Sequence, residues 1–279
     1  AGRVPTDRGL RFYVDTFVEK HPLSEKEQED IQAHYRIPEK DIRSLLKKTG
    51  RTLAHFSRYI SLVASPKLEQ TVFKHIEFFP LSRGRLLGIL VSHSGLVENR
   101  ILEIHEELNY RDLEKINNCC NTFFYGLTLE EARDKMEREL ARAHREYDRL
   151  IAKALLFSQE LFGEQSPAEL AVEGEAQLFG TKNFATVERI KDLLESLEEK
   201  QQLLKILDSC LASPGVRIFI GAESQSPVTK DLSLITSTYS QGDRLLGTIG
   251  VIGPNSMDYS KVISIVDFTA RMVSDLMVA

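Results

Sequence analysis

The chain has 279 residues, 42% of them apolar and 28% charged, with a formal net charge of −5. That balance suits a globular protein long enough for two domains. It excludes a membrane helix, because no apolar run approaches 18 residues, and residues 1–15 lack the apolar core of a signal peptide.

An acidic chain without a lysine/arginine run also lacks the phosphate grip of a free-standing DNA binder. Three sparse cysteines, Cys119, Cys120 and Cys210, point to a reducing compartment, read as the cytoplasm.

Residues 6–20 are predicted as a helix, opened by Pro5 with Thr6 or Asp7 following. Leu10, Tyr13, Val14 and Phe17 form its apolar face, and His21-Pro22 stops it. Ser24 with Glu27 three residues on has capping-box spacing and begins a helix running to about Arg36. A third helix opens at Pro38 and places Ile42, Leu45, Leu46, Leu53, Phe56, Tyr59 and Ile60 at helical spacing, with Gly50 as a bend or break. Pro66 closes this front section. From about residue 70 the texture turns to β. Segments 71–81, 85–92 and 96–105 are strands, and the turns Ser82-Arg83-Gly84 and His93-Ser94-Gly95 make them antiparallel hairpins. Residues 111–125 are helical.

Residues 129–161 carry a long amphipathic pattern. One heptad position holds Leu129, Met136, Ala143, Leu150 and Phe157, and the other holds Arg133, Leu140, Tyr147, Ala154 and Leu161. As one helix this segment spans about 50 Å and forms a coiled-coil-like seam, with Leu140, Tyr147, Leu150, Ala154 and Phe157 as dimer-interface candidates. The alternative is two ordinary helices broken near His144. A loop with Pro167 and a strand at 169–173 follow. A second amphipathic helix covers 185–211, with Val187, Ile190, Leu194, Leu197, Leu204 and Leu211 as its seam. Pro214-Gly215 ends it. Strands are then predicted at 216–220, 232–239 and 244–252, with a turn at 241–243. Ser256 or Asp258 caps a terminal helix that turns Val262, Val266, Ala270, Val273 and Leu276 inward.

Three strands thus precede the helical middle and three follow it. A three-stranded half-sheet makes a poor domain alone. The expectation is therefore an α+β fold: residues 70–127 and 214–279 share one antiparallel sheet with flanking helices, interrupted by a mainly helical insertion at 128–213. Residues 1–69 form a linker with helices.

The chemical motifs are few. Gly247-x-x-Gly250-x-x-Gly253 has the wrong spacing for a nucleotide loop and suits close strand packing. Cys119-Cys120 lack metal or redox spacing and read as core residues. His75, His93 and His105 lie on or beside the first three strands without ligand-pair spacing. Asp258 suits a helix cap. No catalytic, metal or cofactor constellation emerges, so the expectation is not an enzyme.

Two stretches go further: AGRVPTDRGLRFYVD at residues 1–15 and GTIGVIGPNSMDYSKVISIVD at 247–267. Both resemble signature segments of the HrcA family of heat-inducible transcription repressors, and the segments at 75–104, 216–224 and 231–239 agree. The resemblance implies an N-terminal winged helix, a GAF-like domain (70–127 plus 214–279) and an inserted dimerising domain (128–213). The family segment like residues 1–15 follows the wing, so the DNA-reading head is expected to be absent from this chain. The implied function is repression of groE- and dnaK-type chaperone operons by a homodimer on the CIRCE inverted repeat, dependent on a GroEL-type chaperonin. Arg3 and Arg8, near the wing, become candidate phosphate contacts. A GAF-type small-molecule sensor is the alternative, with Phe78, Leu87 and Ile249 as side chains that could fill its pocket.

Overall fold

The computed structural model describes residues 5–36, 39, 41–67, 71–104, 108–146, 149–162, 169–180, 194, 195, 197–224 and 232–278. The chain forms two compact units, one of residues 1–65 with 168–279 and the other of residues 66–167.

The first unit opens with α1 (Asp7–Phe17), capped by Thr6, whose hydroxyl accepts from the Gly9 amide at 3.3 Å. α2 (Glu25–Ala33) has the expected capping box: Glu27 N donates to Ser24 Oγ at 3.3 Å, and Ser24 N donates to Glu27 Oε2 at 3.0 Å. α3 (Ile42–Ser57) runs unbroken through Gly50 and stops at Arg58, which takes the left-handed conformation (φ 66°). Gly50 is a contact point, not a break: its carbonyl accepts from Ser61 Oγ at 2.6 Å.

The first correction lies just beyond. Ile60, read above as helical, begins β1 (Ile60–Ala64), a strand buried at every residue. Covered on both faces, it shows a continuous apolar run without period-two alternation, and such a run cannot be told from helix by pattern alone. β1 joins β5 (Leu170–Glu173), β6 (Val216–Ile220), β7 (Leu232–Gln241) and β8 (Arg244–Pro254) in an antiparallel sheet of order β5-β1-β8-β7-β6. On one face Ile60, Leu62, Leu234 and Ile252 cluster with Leu203 and Leu207 of α7 (Lys200–Cys210). On the other lie α3 and α8 (Tyr259–Val278), where Ser233 Oγ sits 2.6 Å from Tyr259 Oη. The first part of the predicted helix at 185–211, residues 185–193, lies outside the described residues; its last part is α7. In α8, Val262, Val266, Ala270 and Val273 are buried as expected, whereas Leu276 is exposed.

The second unit is a β2-β3-β4 meander of β2 (Phe73–Ser82), β3 (Arg85–Ser92) and β4 (Val97–Glu103). Gly84 and Gly95 supply the positive φ its two turns need (75° and 83°). One face is covered by α4 (Tyr110–Phe124), α5 (Leu129–Glu146) and α6 (Arg149–Leu161). The core holds Phe73, Phe78, Leu86, Leu90, Phe124 and Phe162, and the Phe73 and Phe162 rings stack at 5.1 Å.

The strands therefore lie in two sheets among the described residues, where one shared sheet was expected. The late strands complete their sheet with β1 and β5, and β1 pairs with β8. The interrupting unit is accordingly 66–167 in the structure, not 128–213. The long pattern at 129–161 forms two helices that pack on each other, which settles that alternative in favour of a break.

Candidate interaction surfaces

The chemistry-bearing residues serve structure. Cys120 is buried with Sγ 3.3 Å from Ser158 Oγ, and burial pushes its thiol up to about 12, well out of the reactive range. Cys210 is buried 3.4 Å from Thr236 Oγ1, and Cys119 is half-buried. His75 Nε2 lies 2.8 Å from Glu77 Oε2, and His93 packs edge-on to Tyr125 at 5.7 Å. His105 lies outside the described residues. Among the described residues no group of three His, Cys, Asp or Glu side chains is placed to hold a metal. Asp258 Oδ1 accepts from Lys261 N at 3.1 Å, the expected cap. The β8 glycines are close-packing positions: a Cβ on Gly253 would meet the Tyr59 ring at 2.9 Å. Phe78 and Leu87, expected beside Ile249 in a sensor pocket, belong to the other unit.

The heptad seam is largely used within its own unit. Tyr147 and the side chain of Leu140 lie outside the described residues. Leu150 is half-buried. Ala154 is only 1% exposed and Phe157 packs on the core, its ring 5.9 Å from Phe78. Ala154 thus cannot meet a second copy. The apolar stripe that suggested a dimer seam is the stripe α6 turns toward α4, β3 and β4.

A different apolar face is open. Directly opposed residues of antiparallel strands project from the same side. Phe79, Leu87 and Ile101 form one row across β2, β3 and β4; Glu77, Ile89 and Asn99 form the next; His75, Val91 and Val97 the third. This side faces away from the core, and Phe79, Val97 and Ile101 are 46–56% exposed. Six of the nine side chains in these rows are apolar although the opposite side of the sheet already faces the core, which marks an interaction surface.

A second exposed apolar group sits on α1. Of its predicted apolar face only Val14 is buried; Tyr13 and Phe17, with Phe12, are 50–65% exposed. The helix is held instead by polar contacts. Arg11 Nε donates to Glu223 Oε1 at 2.9 Å, Arg11 Nη2 donates to Glu223 Oε2 and, at 2.6 Å, to the Ile218 carbonyl. The Arg11 hydrogen bond holds the Glu223 carboxyl below the usual glutamate range. Ala222 N donates to Asp7 Oδ2 at 3.3 Å, and Ser260 and Ser264 donate to the carbonyls of Glu19 and His21 at 2.6 and 2.5 Å. A cavity of about 650 Å³ opens beside the helix, lined among others by Tyr13, Phe17, Glu19, Leu23, Met257 and Tyr259. Arg8 is exposed on α1; Arg3 lies outside the described residues.

Residues 43–263 match the family model described as HrcA protein C terminal domain. The heat-inducible transcription repressor HrcA of Geobacter sulfurreducens is 40% identical over 277 residues, covering 99% of this chain and 81% of that protein. Its counterpart in Syntrophobacter fumaroxidans is 36% identical over 279 residues, covering 99% and 80%. A crystal structure described as a hypothetical protein superposes with a TM-score of 0.56 at 19% identity, over 100% of this chain and 80% of that one, and so shares the fold. No helix among the described residues is long and apolar enough to cross a membrane. The relatives define the class: regulators that repress transcription, not enzymes. Within that class, this chain belongs to the HrcA family.

Proposed function

We propose that this chain is the regulatory body of a cytoplasmic, heat-inducible repressor of chaperone-operon transcription, acting without catalysis, metal or cofactor. The observation that carries this reading is the match over residues 43–263 together with 40% identity to a heat-inducible repressor along nearly the whole chain. In the complete repressor an N-terminal winged helix reads the CIRCE inverted repeat, and a GroEL-type chaperonin tunes the active population. A phosphate role for Arg3 and Arg8 belongs to that DNA-bound protein. The five-stranded sheet between helices supports a GAF-like reading of the first unit, and the 66–167 unit is then the inserted dimerising domain.

An inverted repeat requires a two-fold protein, because half-site symmetry mirrors dimer symmetry. One winged helix makes too few contacts alone, and joining two raises the effective concentration of the second. The open apolar face of β2, β3 and β4 supports a self-association role. The test compares this chain with the same chain joined to a winged-helix head on inverted-repeat DNA. The joined protein is expected to bind specifically and this chain alone is not. Failure of the joined protein to prefer the inverted repeat over scrambled DNA overturns the reading, and sedimentation of either form as a strict monomer overturns its dimeric part.

A further inference from the structure

Among the described residues β6 ends the five-stranded sheet, and its outer edge is closed by an ion pair instead of a strand. The Ile218 carbonyl accepts from Arg11 Nη2 at 2.6 Å, and the Ile220 amide donates to Glu223 Oε2 at 2.9 Å. In an antiparallel ladder alternate residues turn both backbone groups to the same side. These two groups, two residues apart, therefore lie on the free side of β6. A further strand would offer a donor to the first and an acceptor to the second. Arg11 and Glu223 supply that donor and that acceptor, and Arg11 Nε donates to Glu223 Oε1 at 2.9 Å.

Arg11 comes from α1, and little else holds that helix. Val14 is its one buried residue. Asp7 accepts from the Ala222 amide at 3.3 Å and lies against Gly221, where the missing side chain leaves it room. The segment just beyond the helix is tied more firmly. Ser260 Oγ donates to the Glu19 carbonyl at 2.6 Å and accepts from the His21 amide at 3.2 Å. Ser264 Oγ donates to the His21 carbonyl at 2.5 Å, and Lys20 Nζ lies 3.4 Å from Asp267 Oδ2. These anchors fix residues 19–21 to α8 and leave a hinge at Val18, where the backbone is extended. Before that hinge, eleven helical residues depend on one ion pair about a third exposed, one carboxylate and one apolar side chain. Exposed ion pairs contribute little, and a helix this short does not persist alone in water.

We propose that α1 is a releasable strap on the edge of β6: the helix lifts off and unwinds as a unit up to Val18 while the five-stranded sheet stays folded, and the edge groups of β6 are bared. In the repressor proposed above α1 follows the winged helix, so the open strap lengthens the tether between head and body. That consequence rests on the proposed function; the strap itself does not.

Amide hydrogen exchange of the whole chain, along a series of urea concentrations below the unfolding transition, tests the strap. Lifting α1 exposes little surface, so its opening depends weakly on urea, whereas amides that exchange only by global unfolding depend on it steeply. The amides of residues 10–17 and that of Ile220 are expected to exchange together with a weak urea dependence. Without urea they are expected to exchange at least about 10-fold faster than the most protected amides of β7 and β8. Arg11→Met removes the strap side of the ion pair and no group bonded to Ile220. It is expected to speed the exchange of α1 and of Ile220 alike, by about 5-fold. Exchange of residues 10–17 at the rate and urea dependence of β7 and β8 overturns the proposal, because α1 then leaves only with the sheet. An Ile220 amide that stays with the sheet while α1 exchanges early also overturns it, because the helix then frays without baring the edge. So does an Arg11→Met chain in which neither rate changes. Each of these outcomes leaves the proposed function standing, since binding of the joined protein to the inverted repeat is measured separately.

Discussion

At the residue scale, Gly247 shows how one absent side chain fixes a core. The buried Tyr239 hydroxyl donates to the Ala64 carbonyl at 2.7 Å, directly beside the Gly247 backbone. A Cβ at Gly247 would lie 2.7 Å from that carbonyl oxygen and closer still to the hydroxyl. Neither neighbour is the free end of a flexible chain, so the strand must move. Gly247→Ala is expected to destabilise the chain by about 1–3 kcal/mol, read as a fall in the urea midpoint at unchanged slope. The glycine spacing made close packing legible; its partners were not, since Ala64 belongs to a strand that pattern reading had made helical. Glu223 offers a second residue-scale test. Its folded pKa is lowered, so its contribution is complete above the unfolded glutamate value, near 4, and is lost as pH falls through the folded value. The pair is about one-third exposed, so the effect is held to about 0.5–1 kcal/mol. Glu223→Gln is expected to be less stable than the parent at pH 7 by that amount, with the gap narrowing in urea titrations as the pH falls below the unfolded value and through the folded one. A gap that does not narrow as the pH falls would contradict an ionic role.

At the element scale, the free edge of β2 is finished by side chains in place of a strand. Phe78 N donates to Asn117 Oδ1 at 2.9 Å, and Asn117 Nδ2 donates to the Phe78 carbonyl at 3.2 Å. One helical turn on, Asn121 repeats the pattern with Ile76 at 2.9 and 2.7 Å. The i,i+4 spacing of the two amides along α4 lets them stand in for a neighbouring strand at alternate residues of β2. Asn117→Ala leaves a buried amide and carbonyl without these partners and is expected to cost about 2 kcal/mol. Asn118→Ala, at an exposed position beside it, is expected to stay within about 0.5 kcal/mol. Equal effects in thermal melts would mean that the amide pairing contributes nothing. Such pairing is not readable from sequence, because it depends on which helix lies along which strand. What was readable at this scale was local: the Ser24 capping box, the glycine turns at 84 and 242, the Asp258 cap. α1 was legible as a helix, but not its orientation, since its periodicity places four apolar residues on one side without saying that polar latches hold the other.

At the scale of the whole molecule, the elements were mostly legible and their partnerships were not. Seven strands were placed close to their observed bounds, yet β1 was missed, and β1 decides that there are two sheets. The same gap assigned the dimer seam to 129–161. A heptad stripe states that a helix has an apolar side; it does not state whether its own chain covers that side. Ala154 shows that here it does. The alternation along β4 makes the competing surface testable with adjacent residues. Ile101 points away from the core and is 56% exposed, whereas Leu102 points into it and is buried. Ile101→Lys places its charge where a single copy meets only water, so the urea midpoint of the monomer is expected to change by no more than about 0.5 kcal/mol. In a dimer built on this face the same ammonium is buried without a partner, and the dissociation constant is expected to rise at least about 100-fold, near 3 kcal/mol, in sedimentation across a concentration series. Leu102→Lys reverses the order, because a charge in the Phe78–Leu86 cluster unfolds the 66–167 unit before association is at issue. An Ile101→Lys chain that sediments like its parent would place the two-fold contact elsewhere, however apolar this face is.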